Sequence, residues 1–141
     1  MDSPAIEIKD LTKYYGSQRG IEDINLTVAA GEVVGFLGPN GAGKTTTIRL
    51  LLDLLRPNRG SARVLGLDCQ KSGLEVRRRI GYLPGEYRLY ENLSGKQVLS
   101  FLGNVGGRID WRYTHELADR LVIDLSRSIR TLSHGNKQKL A

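Results

Sequence analysis

The spacing of apolar residues divides the chain into strand-like and helix-like segments. Apolar positions from Ile6 to Tyr15 predict one arm of a β-hairpin at a sheet edge, and alternating positions from Ile24 to Val28 predict its partner strand. The continuous apolar run Val33–Leu37 predicts a further strand, and the leucine-rich run Ile48–Leu55 predicts a helix soon after it. The first part of the chain therefore predicts a hairpin followed by a strand, a loop and a helix.

The middle of the chain continues this alternation. Pro, Asn and Gly residues within 56–60 end the helix and lead into a short strand predicted at Ser61–Leu65. The end of a brief helix is predicted at Val76–Arg79, and a buried strand is predicted at Ile80–Leu83, before a Pro-Gly turn.

From residue 85 onward the pattern is that of helices. Ser94 and Gln97 predict a capping box for a helix that extends to about Leu102. After a Gly-Gly break, residues Trp111–Val122 predict another helix, and Ser133 predicts the N-cap of a last one.

The loop between the predicted strand at 33–37 and the following helix carries the pattern G-x-x-x-x-G-K-[ST], which is typical of phosphate-binding loops. Its glycines allow backbone N–H groups to point inward, and the positive end of the helix extends this anion-binding nest. Lys44 is expected to bridge the outer phosphates, and the Thr45 hydroxyl is expected to ligate Mg²⁺. The predicted phosphate-binding residues are Gly38, Pro39, Asn40, Gly41, Ala42, Gly43, Lys44, Thr45 and Thr46.

Two other interpretations of this loop are weaker. A glycine-rich turn without a ligand explains none of the Gly-Lys-Thr sequence between a strand and a helix. A dinucleotide-binding loop would need a third glycine where Thr46 stands. The pattern therefore favours a site for a single phosphate chain.

Composition narrows the class of protein further. The 141 residues suit about one domain, begin without a basic and apolar leader, and contain no apolar run of membrane-spanning length, so a soluble intracellular domain is expected. The single Cys69 excludes an internal disulfide framework and is expected to be inert. The net charge of +6 is a mild excess, and its densest cluster, Arg77–Arg79, indicates a solvated helix face rather than a nucleic-acid surface.

Further motifs follow in a characteristic order. Leu11–Gly16 places two tyrosines before a glycine, and Leu132–Leu140 reads Leu-Ser-His-Gly-Asn-Lys-Gln-Lys-Leu. Together with the phosphate-binding loop, these segments resemble the nucleotide-binding domain of ATP-binding cassette (ABC) transporters, and most closely the cassettes of bacterial exporters. The resemblance covers the whole chain and implies the N-terminal part of such a domain, ending just after the family's signature motif.

The resemblance implies a role for each motif. In the family an aromatic residue just before the glycine stacks on adenine; Tyr15 corresponds to it, with Tyr14 as the alternative ring and plain packing of an edge strand as the alternative role. The family's signature contacts ATP held by the opposite subunit, so Ser133 and Gly135 are implied to act in catalysis together with Lys44.

The signature-like segment departs from the family at two positions. His134 and Asn136 stand where glycine and glutamine are usual. In physical terms the segment is a helix N-terminus with a serine cap and a glycine, which suits a terminal phosphate. A plain capped helix is the alternative.

Two other segments imitate family motifs. Leu93–Gln97 is closer to the signature over five residues, but the following residues do not continue the motif, so it predicts a helix cap only. Leu121–Asp124 resembles a Walker B strand, yet it precedes the signature and no Glu follows Asp124, so it is interpreted as the end of a helix.

A glutamine that senses Mg²⁺ normally follows the strand equivalent to residues 80–84 in the family. Glu86 occupies this region, and two readings stay open: Glu86 replaces the glutamine as a metal-site residue through a bridging water, or the link is altered. The segment Tyr87–Tyr90 would lie where the membrane subunit docks, with an ordinary surface loop as the alternative.

The resulting fold prediction is an α/β P-loop NTPase of the ABC ATPase type, truncated at its C-terminal end. Residues 1–84 would form an N-terminal antiparallel β subdomain and part of the α/β core, residues 85–133 a helical subdomain, and residues 134–141 the start of the signature helix. The resemblance implies ATP and Mg²⁺ as ligands, and a cytoplasmic location on the inner face of the cell membrane. It implies a transmembrane permease and a second ATP-binding domain, in a homodimer or heterodimer, as partners, and no nucleic acid.

The implied function of the full-length protein is MgATP binding and hydrolysis that drive solute export. The alternative is a non-transport cassette acting as a nucleotide-dependent clamp or regulatory module; a small-molecule kinase is disfavoured because it would need lid arginines rather than a signature helix. Residues 1–141 alone are expected to be inactive, because the family's Walker B aspartate, catalytic glutamate and switch histidine have no counterpart in them.

Overall fold

The chain divides into two units, Met1–Gly81 and Tyr82–Ala141, in a computed structural model that describes residues 3–85, 88–107 and 109–141. Each unit has its own buried apolar cluster. Over the described ranges, no helix is both long and apolar enough to cross a membrane.

A four-stranded antiparallel sheet is the foundation of the first unit. Strand β1 (Ile6–Tyr15) pairs with β2 (Gln18–Val28) on one side and with β3 (Arg59–Val64) on the other, and β3 pairs with β4 (Leu67–Asp68). The predicted hairpin is confirmed, but its first arm is wrong as an edge strand, because β3 returns along the second side of β1. The pairing of β1 with β3 joins residues that are far apart in the sequence, so the alternation of apolar and polar residues within β1 does not predict it.

Helices α1 (Lys44–Leu51) and α2 (Gly73–Arg78) contribute Leu50 and Val76 to the core of this unit. The core also contains the buried strand residues, with Cys69 beside them; its members are Ile8, Leu11, Ile21, Leu50, Ala62, Val64, Cys69 and Val76. Helix α1 thus lies against the sheet through a single buried apolar face, which fixes the loop that precedes it.

The end of α1 comes earlier than predicted. Asp53 adopts a left-handed φ of 55°, and the N–H groups of Asp53 and Leu54 donate to the carbonyl oxygens of Leu50 and Arg49 at 3.1 and 2.9 Å. This pair of bonds is a Schellman motif, which closes a helix. The leucine run therefore extends past the helix that it predicted.

Two predicted strands are wrong. The segments Val33–Leu37 and Ile80–Leu83 are irregular, and Val33 and Leu37 are 99% and 91% exposed. A strand needs a neighbour for its N–H and C=O groups, and within the described residues the sheet consists only of the four antiparallel strands. The apolar composition of the two segments predicted strands, but composition does not determine whether a neighbouring strand is present.

The second unit is helical. It contains α3 (Gly95–Gly106), α4 (Trp111–Arg120) and α5 (His134–Leu140), with a short 3-10 turn at Ile129–Thr131. Its buried core consists of Val98, Ala118, Leu125, Ile129, Leu132 and Leu140. All three helices match predicted ones, although α3 runs four residues further than expected and α4 ends before the left-handed Val122, whose φ is 55°.

The arginine cluster has partners inside the protein. Arg77 donates to the Leu52 carbonyl oxygen at 2.9 Å, where α1 ends, and Arg78 pairs with Glu75 at 2.9 Å. A cation at the C-terminal end of a helix is stabilised by the helix dipole. All three arginines are nevertheless exposed, as the prediction of a solvated face requires, so these contacts lie on the protein surface.

Candidate functional site

The loop before α1 takes a shape that only glycine adopts readily at two positions. Gly41 and Gly43 have φ angles of 82° and 88°. Gly43 is the N-cap of α1, and a Cβ there would lie 2.2 Å from Ile21 Cγ2 and 2.8 Å from the Gly20 carbonyl oxygen. Glycine is therefore needed at this position both by the backbone and by the close contact with β2.

Lys44 is the first residue of α1, and its side chain folds back over the loop. Its Nζ donates hydrogen bonds to the carbonyl oxygens of Gly38 and Pro39 at 2.6 and 2.7 Å. The Ala42 N–H donates to the same Pro39 oxygen at 3.2 Å. An ammonium group and the N-terminus of a helix thus meet at one loop, which suits an anionic ligand.

The threonines at the start of α1 differ in their surroundings. Thr45 is exposed and Thr46 is half-buried, and both line the cavity described below. Thr47 is 2% exposed, and its hydroxyl donates to the Gly43 carbonyl oxygen at 3.1 Å. Thr45 and Thr46 are therefore available to a ligand, whereas Thr47 stabilises the first turn of α1.

The two tyrosines at the end of β1 have different neighbours. The Tyr15 hydroxyl lies 3.3 Å from the Thr46 hydroxyl, next to the loop, and 44% of the residue is exposed. The Tyr14 hydroxyl donates to the Glu22 carboxylate, and this bond raises the pKa of Tyr14 and lowers that of Glu22. The ring beside the loop is therefore that of Tyr15.

A cavity of about 490 Å³ joins these residues into one candidate site. It is lined by Tyr15, Gln18, Arg19, Gly20, Asn40, Gly41, Ala42, Gly43, Lys44, Thr45 and Thr46. Gly38 and Pro39 take part through the carbonyl oxygens that hold Lys44. Sequence reasoning missed Gln18, Arg19 and Gly20: the predicted partner strand began at Ile24, whereas β2 begins at Gln18.

The described residues contain no group of three or more His, Cys, Asp and Glu side chains that could hold a metal ion. The oxygen donor predicted from the motif is the Thr45 hydroxyl, at the exposed rim of the cavity. The second predicted metal residue, Glu86, lies outside the described residues.

The signature-like segment begins α5 in the second unit. The Ser133 hydroxyl accepts a hydrogen bond from the Asn136 N–H at 3.2 Å, as an N-cap residue does. Gly135 is exposed, and a Cβ at this position would meet nothing within 4 Å. Lys137 forms an ion pair with Glu91 at 2.9 Å, which lowers the pKa of the Glu91 carboxyl group.

The competing segment at residues 93–97 is a helix cap, as predicted. Ser94 and Gln97 form a complete capping box. The N–H groups of Gly95 and Lys96 donate to the carbonyl oxygens of Arg127 and Leu125 at 3.2 and 2.8 Å. These N–H groups at the start of α3 thus have hydrogen-bond partners within the protein.

The segment at residues 121–124 is not a strand. Helix α4 ends at Arg120, and Asp124 lies in the irregular segment that follows it. Its carboxylate accepts hydrogen bonds from the Ser126 hydroxyl and N–H at 2.6 and 2.9 Å, which lower the pKa of Asp124. The segment is therefore not a strand, as expected, but its interpretation as the end of a helix is wrong, because α4 has already ended at Arg120.

The G-x-x-x-x-G-K-[ST] sequence at residues 38–45, with Gly43 as the N-cap of α1 and Lys44 folded over the loop, is typical of a P-loop nucleotide-binding site. Residues 21–141 match the family model described as ABC transporter. The chain belongs to the ABC transporter family, as an ATP-binding domain, and the predicted family is confirmed.

Relatives with known sequences carry the same description. The chain is 41% identical over 143 residues to the daunorubicin/doxorubicin resistance ATP-binding protein DrrA of Streptomyces peucetius, covering 96% of this chain and 43% of DrrA. It is 43% identical over 102 residues to the probable multidrug ABC transporter ATP-binding protein YbhF of Escherichia coli, covering 72% of this chain and 18% of YbhF. The chain therefore spans less than half of either relative.

Solved structures agree with the fold. The structure of an ATP-binding subunit of an ABC transporter matches with a TM-score of 0.79 and 33% identity, over 96% of this chain and 59% of that one. A putative ABC transporter ATP-binding protein from Pyrococcus furiosus matches with a TM-score of 0.80 and 28% identity, over 96% and 66% of the two chains. The predicted fold class is confirmed, although two of its strands are not formed here.

Proposed function

We propose that the full-length protein binds and hydrolyses MgATP and thereby drives solute export through a membrane permease. The observation that carries the proposal is the cavity that joins the Tyr15 ring to the loop at residues 40–46. The Tyr15 ring forms one wall of the cavity, and the phosphate-binding loop forms the other. This combination suits a nucleoside triphosphate, which has a base at one end and phosphates at the other.

The loop would hold the phosphates chiefly through N–H groups. Each charge-assisted hydrogen bond is worth roughly 1.5–3 kcal/mol, whereas the helix dipole contributes about 0.3–1 kcal/mol, so several aligned N–H groups would dominate binding. Lys44 would leave the Gly38 and Pro39 carbonyl oxygens and turn to the outer phosphates. Its present bonds hold the ammonium group over the loop, which supports this role.

Mg²⁺ suits this site, because one exposed Thr45 oxygen is enough for an ion that prefers to keep waters and phosphate oxygens as ligands. When bound, the ion would supply positive charge that offsets the negative charge of the phosphates. The chain's own contribution is positioning: the loop fixes the phosphates and Tyr15 orients the base.

Ser133 and Gly135 would act on ATP held by another copy of the domain. The exposed glycine leaves room for a phosphate at the start of α5, and the family arrangement places this segment across a dimer. A homodimer or heterodimer of ATP-binding domains, associated with a permease at the inner face of the membrane, is therefore the proposed assembly.

The direction of transport is proposed from the relatives. DrrA is described as a drug resistance protein, and YbhF as a probable multidrug transporter component. Both names favour export over a non-transport role as a clamp or regulatory module.

Isothermal titration calorimetry of the Lys44→Ala variant tests the proposal. ATP affinity is expected to fall sharply while adenosine affinity stays unchanged, because Lys44 is the cation that the loop directs at the outer phosphates. Lys71→Ala serves as a matched control, since Lys71 is exposed and outside the cavity lining. Equal losses for both ligands would count against the assignment.

A further inference from the structure

Strand β2 contains one residue more than its partner beside the candidate site. Lys13 pairs with Ile21, and Tyr14 pairs with Arg19, so Gly20 has no partner on β1. One unpaired residue in an antiparallel pair is a β-bulge, which bends the strand and redirects neighbouring side chains. The bulge lies immediately before the end of β1, where Tyr15 is located.

Gly20 lies directly against the Tyr15 ring. A Cβ on Gly20 would lie 2.8 Å from Tyr15 Cε2 and 3.2 Å from Cδ2, and also 2.9 Å from the Lys13 carbonyl oxygen. These distances are shorter than ordinary contacts between carbon atoms. The φ of Gly20 lies outside the left-handed region, so the requirement at this position is for space.

The same bulge contacts the phosphate-binding loop on its other side. A Cβ on Gly43 would lie 2.8 Å from the Gly20 carbonyl oxygen and 2.2 Å from Ile21 Cγ2. The Gly20 backbone therefore lies close to both the Tyr15 ring and the N-cap of α1, and the Ile21 side chain also contacts that N-cap. The absence of a side chain at both Gly20 and Gly43 makes this close approach possible.

We propose that the Gly20 bulge sets the distance between the Tyr15 ring and the phosphate-binding loop, and so selects ligands whose base and phosphates have that spacing. Gly20 is a positioning residue in this role. The inference rests on the proposed function, because it assumes that Tyr15 receives the base and the loop receives the phosphates.

A methyl group at Gly20 must displace either the Tyr15 ring or the hairpin. Either displacement changes the position of the ring relative to the loop, so a ligand that spans both should lose affinity. Inorganic tripolyphosphate has no base and should bind the loop as before. The two ligands therefore separate a spacing defect from a damaged loop.

The test is calorimetric titration of ATP and tripolyphosphate into the full-length wild type, Gly20→Ala, Tyr15→Ala and the double variant. Gly106→Ala is the control, because a Cβ at Gly106 meets nothing within 4 Å and its φ is not left-handed. Gly20→Ala is expected to weaken ATP binding about tenfold, on the scale of one stacked base, and to leave tripolyphosphate binding within about twofold of wild type. In the Tyr15→Ala background, Gly20→Ala should cause no further loss of ATP affinity.

Three results would overturn the inference while leaving the proposed function intact. They are unchanged ATP affinity in Gly20→Ala, an equal loss for both ligands, and a full additional loss in the double variant. Failure of the wild type to bind either ligand would instead remove the proposed function, and the inference with it.

Discussion

The hydroxyl groups of Tyr15 and Thr46 lie 3.3 Å apart, which connects the end of β1 to the first turn of α1. Tyr15 thus contacts the first turn of α1 through its hydroxyl group, and it lines the same cavity as the phosphate-binding loop. We expect Tyr15→Ala to lower ATP affinity by about 1–3 kcal/mol, the scale of stacking between a base and an aromatic ring. Tyr15→Phe should retain the affinity, because stacking needs the ring and not the hydroxyl.

Tyr14→Ala is the comparison for this prediction. The Tyr14 hydroxyl is already bonded to Glu22 on β2, so its loss should affect the hairpin more than the ligand. A larger loss of nucleotide affinity in Tyr14→Ala than in Tyr15→Ala would show that the other ring receives the base.

Ser133→Ala is expected to lower ATP turnover in the full-length protein with little change in ATP binding to the monomer. The physical reason is that a helix N-terminus affects a phosphate only at contact distance, which the proposed dimer would provide. Steady-state ATPase assays and monomer titrations measure the two quantities separately. An equal loss of monomer binding would refute action across a dimer.

Asp124→Asn should leave ATP hydrolysis unchanged. The Asp124 carboxylate is bonded to Ser126 in the irregular segment after α4 and is not at the end of a strand. Residues 1–141 alone are expected to release no phosphate above background, whatever stands at this position. Phosphate release by these residues that Asp124→Asn abolishes would make Leu121–Asp124 a functional Walker B motif.

Cys69 should make the stability of the first unit depend on pH in the alkaline range. Burial raises the pKa of the Cys69 thiol to about 11, from an ordinary value of 9.0. The unfolded chain therefore loses the proton first, and the contribution of the thiol to stability is complete below pH 9 and disappears as the pH rises through 11.

Denaturant titrations between pH 8 and 11 measure this effect, with Cys69→Ala as the comparison variant. The pH dependence due to the thiol should be absent from the variant. The native wild type should also resist alkylation at pH 8, since the thiolate is the reactive form. Rapid alkylation of folded protein at that pH would contradict a buried thiol.

The sequence predicts best where the determinants are local. The capping box of Ser94 and Gln97 and the N-cap at Ser133 depend on residues three positions apart, and both form as expected. The loop at residues 38–46 likewise carries its own glycines and lysine. These features need no knowledge of distant parts of the chain.

Prediction fails where a distant partner decides the outcome. Val33–Leu37 has the composition of a strand, but the described sheet provides no neighbour for it. The interior position of β1 depends on β3, which returns from more than 40 residues further along the chain. Gly20 was missed because a bulge is visible only after two strands are paired.

The two serine-capped helix starts in the second unit show what a motif search by itself would confuse. Gly95 is buried, and a Cβ there would lie 3.2 Å from the Leu125 carbonyl oxygen, whereas Gly135 is exposed to open space. Ser94 should therefore report on folding, so that its replacement lowers the melting temperature. Ser133 should report on turnover, so that selection in a growing cell would tolerate different substitutions at two segments that both begin with Leu-Ser.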